Sequence, residues 1–132
     1  MDRKIARACA MKLIYEWDMG GEGGEDTRLQ LLELEPGERE ADYMERMFDG
    51  VTVHREKLDQ DISAHLRGWT VERLARVDLA ILRLAAYELM LGELPAGIVI
   101  NEAVELANQY STEKAGPFIN GVLGSLSRAE AE

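Results

Sequence analysis

The chain has a single cysteine among its 132 residues. No internal disulfide can form, and a reducing cytoplasm is the compartment this fits. No apolar run approaches ~18 residues, so no membrane span is indicated. The amino-terminal stretch MDRKIARACAMKLIYEWD lacks a continuous apolar block followed by a small-residue cleavage site, which argues against a signal peptide. Basic residues are in deficit. Against 25 Asp and Glu stand 15 Lys and Arg, a formal net charge of -10. Such a chain does not hold nucleic acid through its overall field, because phosphate binding needs local Lys or Arg. Any nucleic-acid site must be a small basic island on an acidic body. The same charge suits a basic partner.

The residues of catalysis are also sparse. His54 and His65 share a helix face but sit about 16 Å apart along the axis, too far to chelate one metal ion. Cys9 lies in an apolar helix stripe and reads as a core thiol rather than a nucleophile. GGEGGED, Gly20 to Asp26, is glycine-rich but lacks the Lys-Ser/Thr of a phosphate-binding loop. Carboxylates are scattered over helical faces. The sequence predicts no catalytic residues, no metal site and no cofactor.

What is present is helical periodicity over most of the chain. Apolar residues make up 46% and charged residues 30%, a globular balance in a length that holds one core. A first helix is predicted from about Arg3 to Asp18, followed by the GGEGGED loop. A short helix, LQLLELE, ends at Pro36-Gly37. A long helix runs from about Arg39 to Leu66, with Gly50 inside it as a site of bending. Thr70 is placed as the N-cap of VERLARV, and Asp78 as the N-cap of LAILRLAAYELML. That last segment is apolar nearly all round and is the expected central helix. Pro95 and Gly97 break the chain before a helix through Val99, Ala103, Ala107 and Tyr110. After a loop from Ser111 to Gly116 comes PFINGVLGSL. Asn120-Gly121 between apolar residues is a hairpin signal, but Phe118, Ile119, Val122, Leu123 and Leu126 keep helical period. Pro117 suits a first helical turn, and no strands flank the pair, so a helix is predicted. The whole reads as all-α, a compact single-domain bundle of about seven helices.

Projected at 100° per residue, the first helix places Ile5, Ala6, Cys9, Ala10, Leu13, Ile14 and Trp17 on one side. The other side carries Lys4, Arg7, Ala8, Met11, Lys12 and Tyr15, with Arg3 at its edge. This is the basic island, and Tyr15 is an aromatic within it. Basic side chains beside an exposed ring are what single-stranded RNA requires; an ordinary solvated face is the other reading. In the last helix, Asn120, Gly121, Gly124 and Ser125 form a small face. It admits either a neighbouring helix or a ligand. Arg83, Tyr87 and Glu88 fall in the apolar central helix, where charge must be paired. Arg83 is expected to tie helix or loop carbonyls together. Glu72 and Asp78 open neighbouring helices, either as dipole-complementing caps or as an acidic edge for a basic partner.

Three blocks together resemble the bacterial NusB proteins: AR-x-CA…LIYEWD, then W-x3-RLA-x-VD-x-AILR-x-A-x-YEL, then INEAVELA…FINGVL. They follow the family's order and spacing over nearly the whole chain. The resemblance implies an all-helical, cytoplasmic transcription antitermination factor without enzymatic activity. It implies binding of the ribosomal protein NusE and, jointly, of single-stranded boxA-like RNA from ribosomal RNA leaders. It also implies membership of the RNA polymerase antitermination complex, and for some family members a homodimer that masks the RNA surface. Carried over by residue, RNA contacts fall on Arg3, Lys4, Arg7, Tyr15 and Phe118, and NusE contacts on Glu72 and Asp78. The chain departs from the family pattern in three ways. Ala115-Gly116-Pro117 replaces a polar or basic segment, Gly124 replaces a frequent acidic residue, and little basic sequence precedes Arg3. These departures imply weak RNA binding without the partner. Two alternatives stand beside this reading: a protein–protein module with no RNA role, and a fragment related to the RNA-binding domain of a ribosomal RNA cytosine methyltransferase.

Overall fold

The computed structural model describes residues 3–21 and 38–131. The predicted LQLLELE helix, Pro36-Gly37 and most of GGEGGED lie outside the described residues. Within them the chain forms six α-helices and one 3-10 turn: α1 Arg3–Asp18, α2 Glu38–Val53, α3 Arg55–Ser63, the turn Val71–Arg73, α4 Arg76–Leu91, α5 Ala96–Tyr110 and α6 Ala115–Ala131. No strand occurs among the described residues, and the all-α expectation holds.

The apolar segment LAILRLAA is buried from Leu79 to Ala86, and α4 packs against all five other helices. An apolar perimeter of this kind is stable only when neighbours cover every side. Gly92, at φ 67°, closes α4 by giving its N–H to the Glu88 carbonyl (3.2 Å). A left-handed residue at a helix end is the conformation glycine adopts without steric cost.

The predicted long helix is two helices. His54 leaves helical geometry (φ -100°, ψ 17°), and the chain turns there, not at Gly50. Both residues meet Tyr87 across the interface. A β-carbon on Gly50 would collide with the Tyr87 ring, so glycine admits that ring against the α2 backbone. The His54 ring stacks on Tyr87 at 5.7 Å between centroids, and its Nδ1 lies 2.9 Å from the Gly50 carbonyl oxygen. A carbonyl only accepts, so Nδ1 carries the hydrogen in this contact.

PFINGVLGSL is helical, and α6 starts earlier than predicted, at Ala115. The close approach expected of its small residues falls elsewhere. A β-carbon at Gly116 would stand 2.8 Å from Asn108 Oδ1, whereas at Gly121 it would meet nothing within 4 Å. Gly116 therefore lets α6 lie on α5, and the Asn120-Gly121 face is turned to solvent.

The N-cap assignments change as well. Thr70 does precede the 3-10 turn, but its side chain makes no capping hydrogen bond. Asp78 lies inside the first turn of α4, after the N-cap residue Ala75. Its carboxylate accepts the Ser111 hydroxyl at 2.5 Å, so it ties α4 to the end of α5.

Two buried arginines join the helices. Arg7, on α1, is 4% exposed. Its Nε and Nη2 donate to the two oxygens of Glu88 on α4 (3.0 and 3.3 Å), and Nη1 lies 3.4 Å from Glu102 on α5. The Tyr43 hydroxyl of α2 donates to the same Glu88 carboxylate at 2.8 Å. This corrects the helical-wheel expectation. Arg7 is not on an open basic face, and its neighbours Ala8 and Met11 are buried with it. Burial works against the guanidinium charge, but the hydrogen bonds and charge of Glu88 outweigh it and hold Arg7 above its ordinary pKa. Burial, reinforced by the Glu88 charge, pushes the Tyr43 phenol well up. Arg83 is structural as expected, though its partners are carboxylates rather than carbonyls. It grips Asp59 of α3 with two hydrogen bonds (2.8 and 2.9 Å) and Asp18 at the end of α1 (3.0 Å). Cys9 is buried, and desolvation raises its thiol pKa, so it stays a protonated core residue.

Two substitutions probe this packing. Gly50→Ala is expected to lower the unfolding free energy by about 1–3 kcal/mol through over-packing against Tyr87, despite a helix-propensity gain of about 1 kcal/mol. Urea unfolding reads it, and an unchanged midpoint would mean that the ring swings aside freely. Arg7→Ala is expected to cost about 3–5 kcal/mol, because it strands the Glu88 charge in the interior. A loss below about 1 kcal/mol on the same measurement would mean that water reaches Glu88.

Candidate nucleic-acid and partner interface

The basic residues of α1 are largely neutralised within the chain. Arg3 Nε donates to Glu40 of α2 at 2.8 Å, and its guanidinium lies 4.0 Å from the centroid of the Tyr43 ring. Lys4 donates to Glu105 of α5 at 2.6 Å, with Glu102 at 3.5 Å; these carboxylates raise its pKa. Lys12 is exposed and stands 5.0 Å from the Tyr110 ring centroid. Tyr15 is half-buried and packs on the core cluster, which corrects its reading as an exposed platform. A wheel drawn for one helix cannot show that acidic residues of α2 and α5 will face its basic side.

Phe118 is differently placed. It sits in the first turns of α6, half-buried on the core, and borders two adjoining grooves. One, of about 530 Å³, runs between the start of α4 and the start of α6, and includes Arg73, Asp78 and Lys114 in its lining. The other, of about 440 Å³, runs along α6 past Gly121 and includes Arg67 and Arg128. Trp69 borders both, as Phe118 does. Trp69 is 56% exposed. In the second groove His65 Nδ1 and Ser125 Oγ are 2.7 Å apart.

Of the two acidic candidates, Asp78 lines the first groove and is engaged by Ser111. Glu72 is exposed on the 3-10 turn, where its carbonyl oxygen accepts Arg76 Nη2 at 2.5 Å. The structure thus brings Phe118 and Asp78 to one groove and leaves Arg3, Lys4 and Tyr15 apart from it. The sequence reading missed Trp69, Arg67, Arg73, Lys114 and Arg128 as a group. The available signal was Trp69 itself, an aromatic between Gly68 and Thr70, outside any apolar period.

A third groove, about 730 Å³, mixes Arg3, Arg39 and Arg46 with Glu38, Asp42 and Glu93, so it presents no field of one sign. Arg46 and Glu93 pair across it at 3.0 Å. Among the described residues no His, Cys, Asp and Glu side chains cluster as a metal site would require, and no helix is long and apolar enough to cross a membrane.

Comparison with known proteins places this geometry. A transcription antitermination protein NusB of Clostridium botulinum (strain Kyoto / Type A2) is 37% identical, over 96% of this chain and 99% of its own. The solved NusB of T. maritima superimposes with a TM-score of 0.87 at 29% identity, covering 97% of this chain and 92% of that one. A crystal structure of the antitermination factors NusB and NusE in complex with double-stranded RNA includes a chain 34% identical to this one. It matches with a TM-score of 0.85 over 96% of both chains. The sequence model of the NusB family matches residues 4–128, and the chain belongs to that family.

Proposed function

We propose that this protein is a cytoplasmic transcription antitermination factor that binds boxA-type single-stranded RNA of ribosomal RNA leaders together with a ribosomal protein of the NusE type. In this reading it supports read-through by RNA polymerase and performs no chemistry of its own. The observation that carries the proposal is the likeness, over 96% of both chains, to a protein solved with NusE and RNA. The charge agrees with it. A body at -10 attracts a basic ribosomal protein, and the pair can then offer phosphates a joint surface that the acidic partner alone does not.

Within the reading, Phe118 supplies a ring to RNA, with Arg3 and Lys4 at the margin of the contact. Asp78 and Glu72 face the basic partner, and Asp78 does so while held by Ser111. Arg7 acts from beneath, by fixing α1 in place. The reading as a protein module without RNA draws on the internal pairing of Arg3, Lys4 and Arg7.

Fluorescence anisotropy tests the proposal, using a labelled boxA-like strand and a scrambled control at two salt concentrations, with and without the cognate ribosomal protein. Tighter, sequence-dependent binding in the presence of that protein is the expected result. Partner binding with no RNA binding in any mixture would reduce the protein to an interaction module. Asp78→Lys is expected to weaken partner binding at least tenfold through like-charge repulsion, while the loss of its helix-dipole contribution costs about 0.3–1 kcal/mol of stability. An unchanged partner affinity would leave Asp78 with only its tie to Ser111.

A further inference from the structure

Packing leaves Asn120-Gly121 unexplained. The pair lies within α6, yet both residues are exposed. A β-carbon on Gly121 would meet nothing within 4 Å, and the Asn120 carboxamide has no hydrogen-bond partner among the described residues. The chain has three asparagines. Asn101 is followed by Glu102 and Asn108 by Gln109, both with bulky side chains, whereas glycine leaves its amide nitrogen open to the side chain before it. The chain's Asp-Gly pair, Asp49-Gly50, has its glycine buried against the Tyr87 ring. Asn120 thus combines a free carboxamide, an unhindered following nitrogen and solvent, the conditions for backbone attack on a side-chain amide. The helix is what opposes it.

We infer that Asn120-Gly121 is a deamidation site that α6 holds inactive while it is wound and exposes when it opens. In the reaction the Gly121 nitrogen bonds to Asn120 Cγ, the Cγ–Nδ2 bond breaks, and the Gly121 amide proton leaves with Nδ2 as ammonia. Water then opens the cyclic imide at either carbonyl, giving aspartate or isoaspartate. Helical geometry blocks the first step twice. It commits the Gly121 N–H to the Pro117 carbonyl, four residues back. It also keeps Asn120 near the helical ψ of about -42°, which holds the nitrogen off the side-chain carbon. Opening is resisted by Ile119 and Leu123, both fully buried, and favoured by Gly121 and Gly124, since glycine is the poorest helix former after proline. Each conversion adds a negative charge. Isoaspartate also adds a carbon to the backbone, which breaks the register on which α6 is wound.

The test is peptide mapping by mass spectrometry of the full chain, aged at mildly alkaline pH in buffer and in denaturing urea. Conversion of amide to acid is expected at Asn120, with Asn101 and Asn108 unchanged, and at least about tenfold faster in urea than in buffer. Gly124→Ala leaves the pair itself intact, and its β-carbon would meet only the end of the Arg128 side chain, at 3.4 Å. It is expected to slow conversion in buffer about fivefold, the population change that replacing a helical glycine by alanine brings, and to leave the rate in urea unchanged. Gly121→Ala is expected to suppress conversion in both solutions. Equal wild-type rates in buffer and urea would show that the helix does not hold the site, and an intact Asn120 in urea would show that there is no site; either overturns the inference. Slowing by Gly124→Ala to the same extent in urea, or no slowing in buffer, would separate the rate from the winding of α6 and overturn it as well. None of these readouts involves RNA or the ribosomal partner, so the function proposed above stands or falls separately.

Discussion

The Glu88 carboxylate is the constraint around which the bundle is organised. It is buried on the helix that touches every other helix among the described residues, and an isolated charge there would be prohibitive. Its two oxygens are met by Arg7 from α1 and Tyr43 from α2, while Glu102 of α5 approaches the far side of the same guanidinium. Arg83 repeats the device further along α4 with carboxylates from α1 and α3. Apolar packing supplies most of the driving force, as in any domain of this size. The charge pairs select which helix faces which, because each has polar partners in only one arrangement. No buried side-chain nitrogen or oxygen among the described residues lacks a hydrogen-bond partner.

That internal use of charge shapes the surface. Arginines that look available on a helical wheel are consumed in holding the fold, and α1 gives up much of its basic character to α2, α4 and α5. Among the described residues Lys12, Arg39, Arg67, Arg73, Lys114 and Arg128 make no ion pair with a carboxylate, and the last four border the grooves beside Trp69 and Phe118. An acidic antitermination factor can thus keep a local cationic site without becoming a general binder of nucleic acid, because its overall field repels phosphate.

The sequence made the helical class plain, along with the central place of LAILRLAAYEL and the helical nature of PFINGVLGSL. Periodicity reports burial on the scale of a whole helix, and these segments are strongly periodic. It did not show the turn at His54, whose ring stacks on Tyr87 of another helix. The close approach at Gly116 was invisible for the same reason, since glycine spacing alone does not say which glycine faces a neighbour. Of the residues singled out in the sequence, Phe118 and Asp78 line one groove. Whether a cation is free depends on the carboxylates that folding brings beside it, and those are dispersed along the chain: Arg7 and Glu88 are 81 positions apart.

Chain ends ordinarily fray, opening and closing many times for each global unfolding event. The amino-terminal helix here is denied that freedom. Lifting α1 off the bundle removes Arg7 from Glu88 and Asp18 from Arg83 in one movement, leaving Glu88 with the Tyr43 hydroxyl and Arg83 with Asp59. Partial opening of α1 thereby strips one ion-pair partner from each of two buried charges, which raises its cost. Native-state amide exchange in α1 is therefore expected to be slower than in an ordinary chain-end helix.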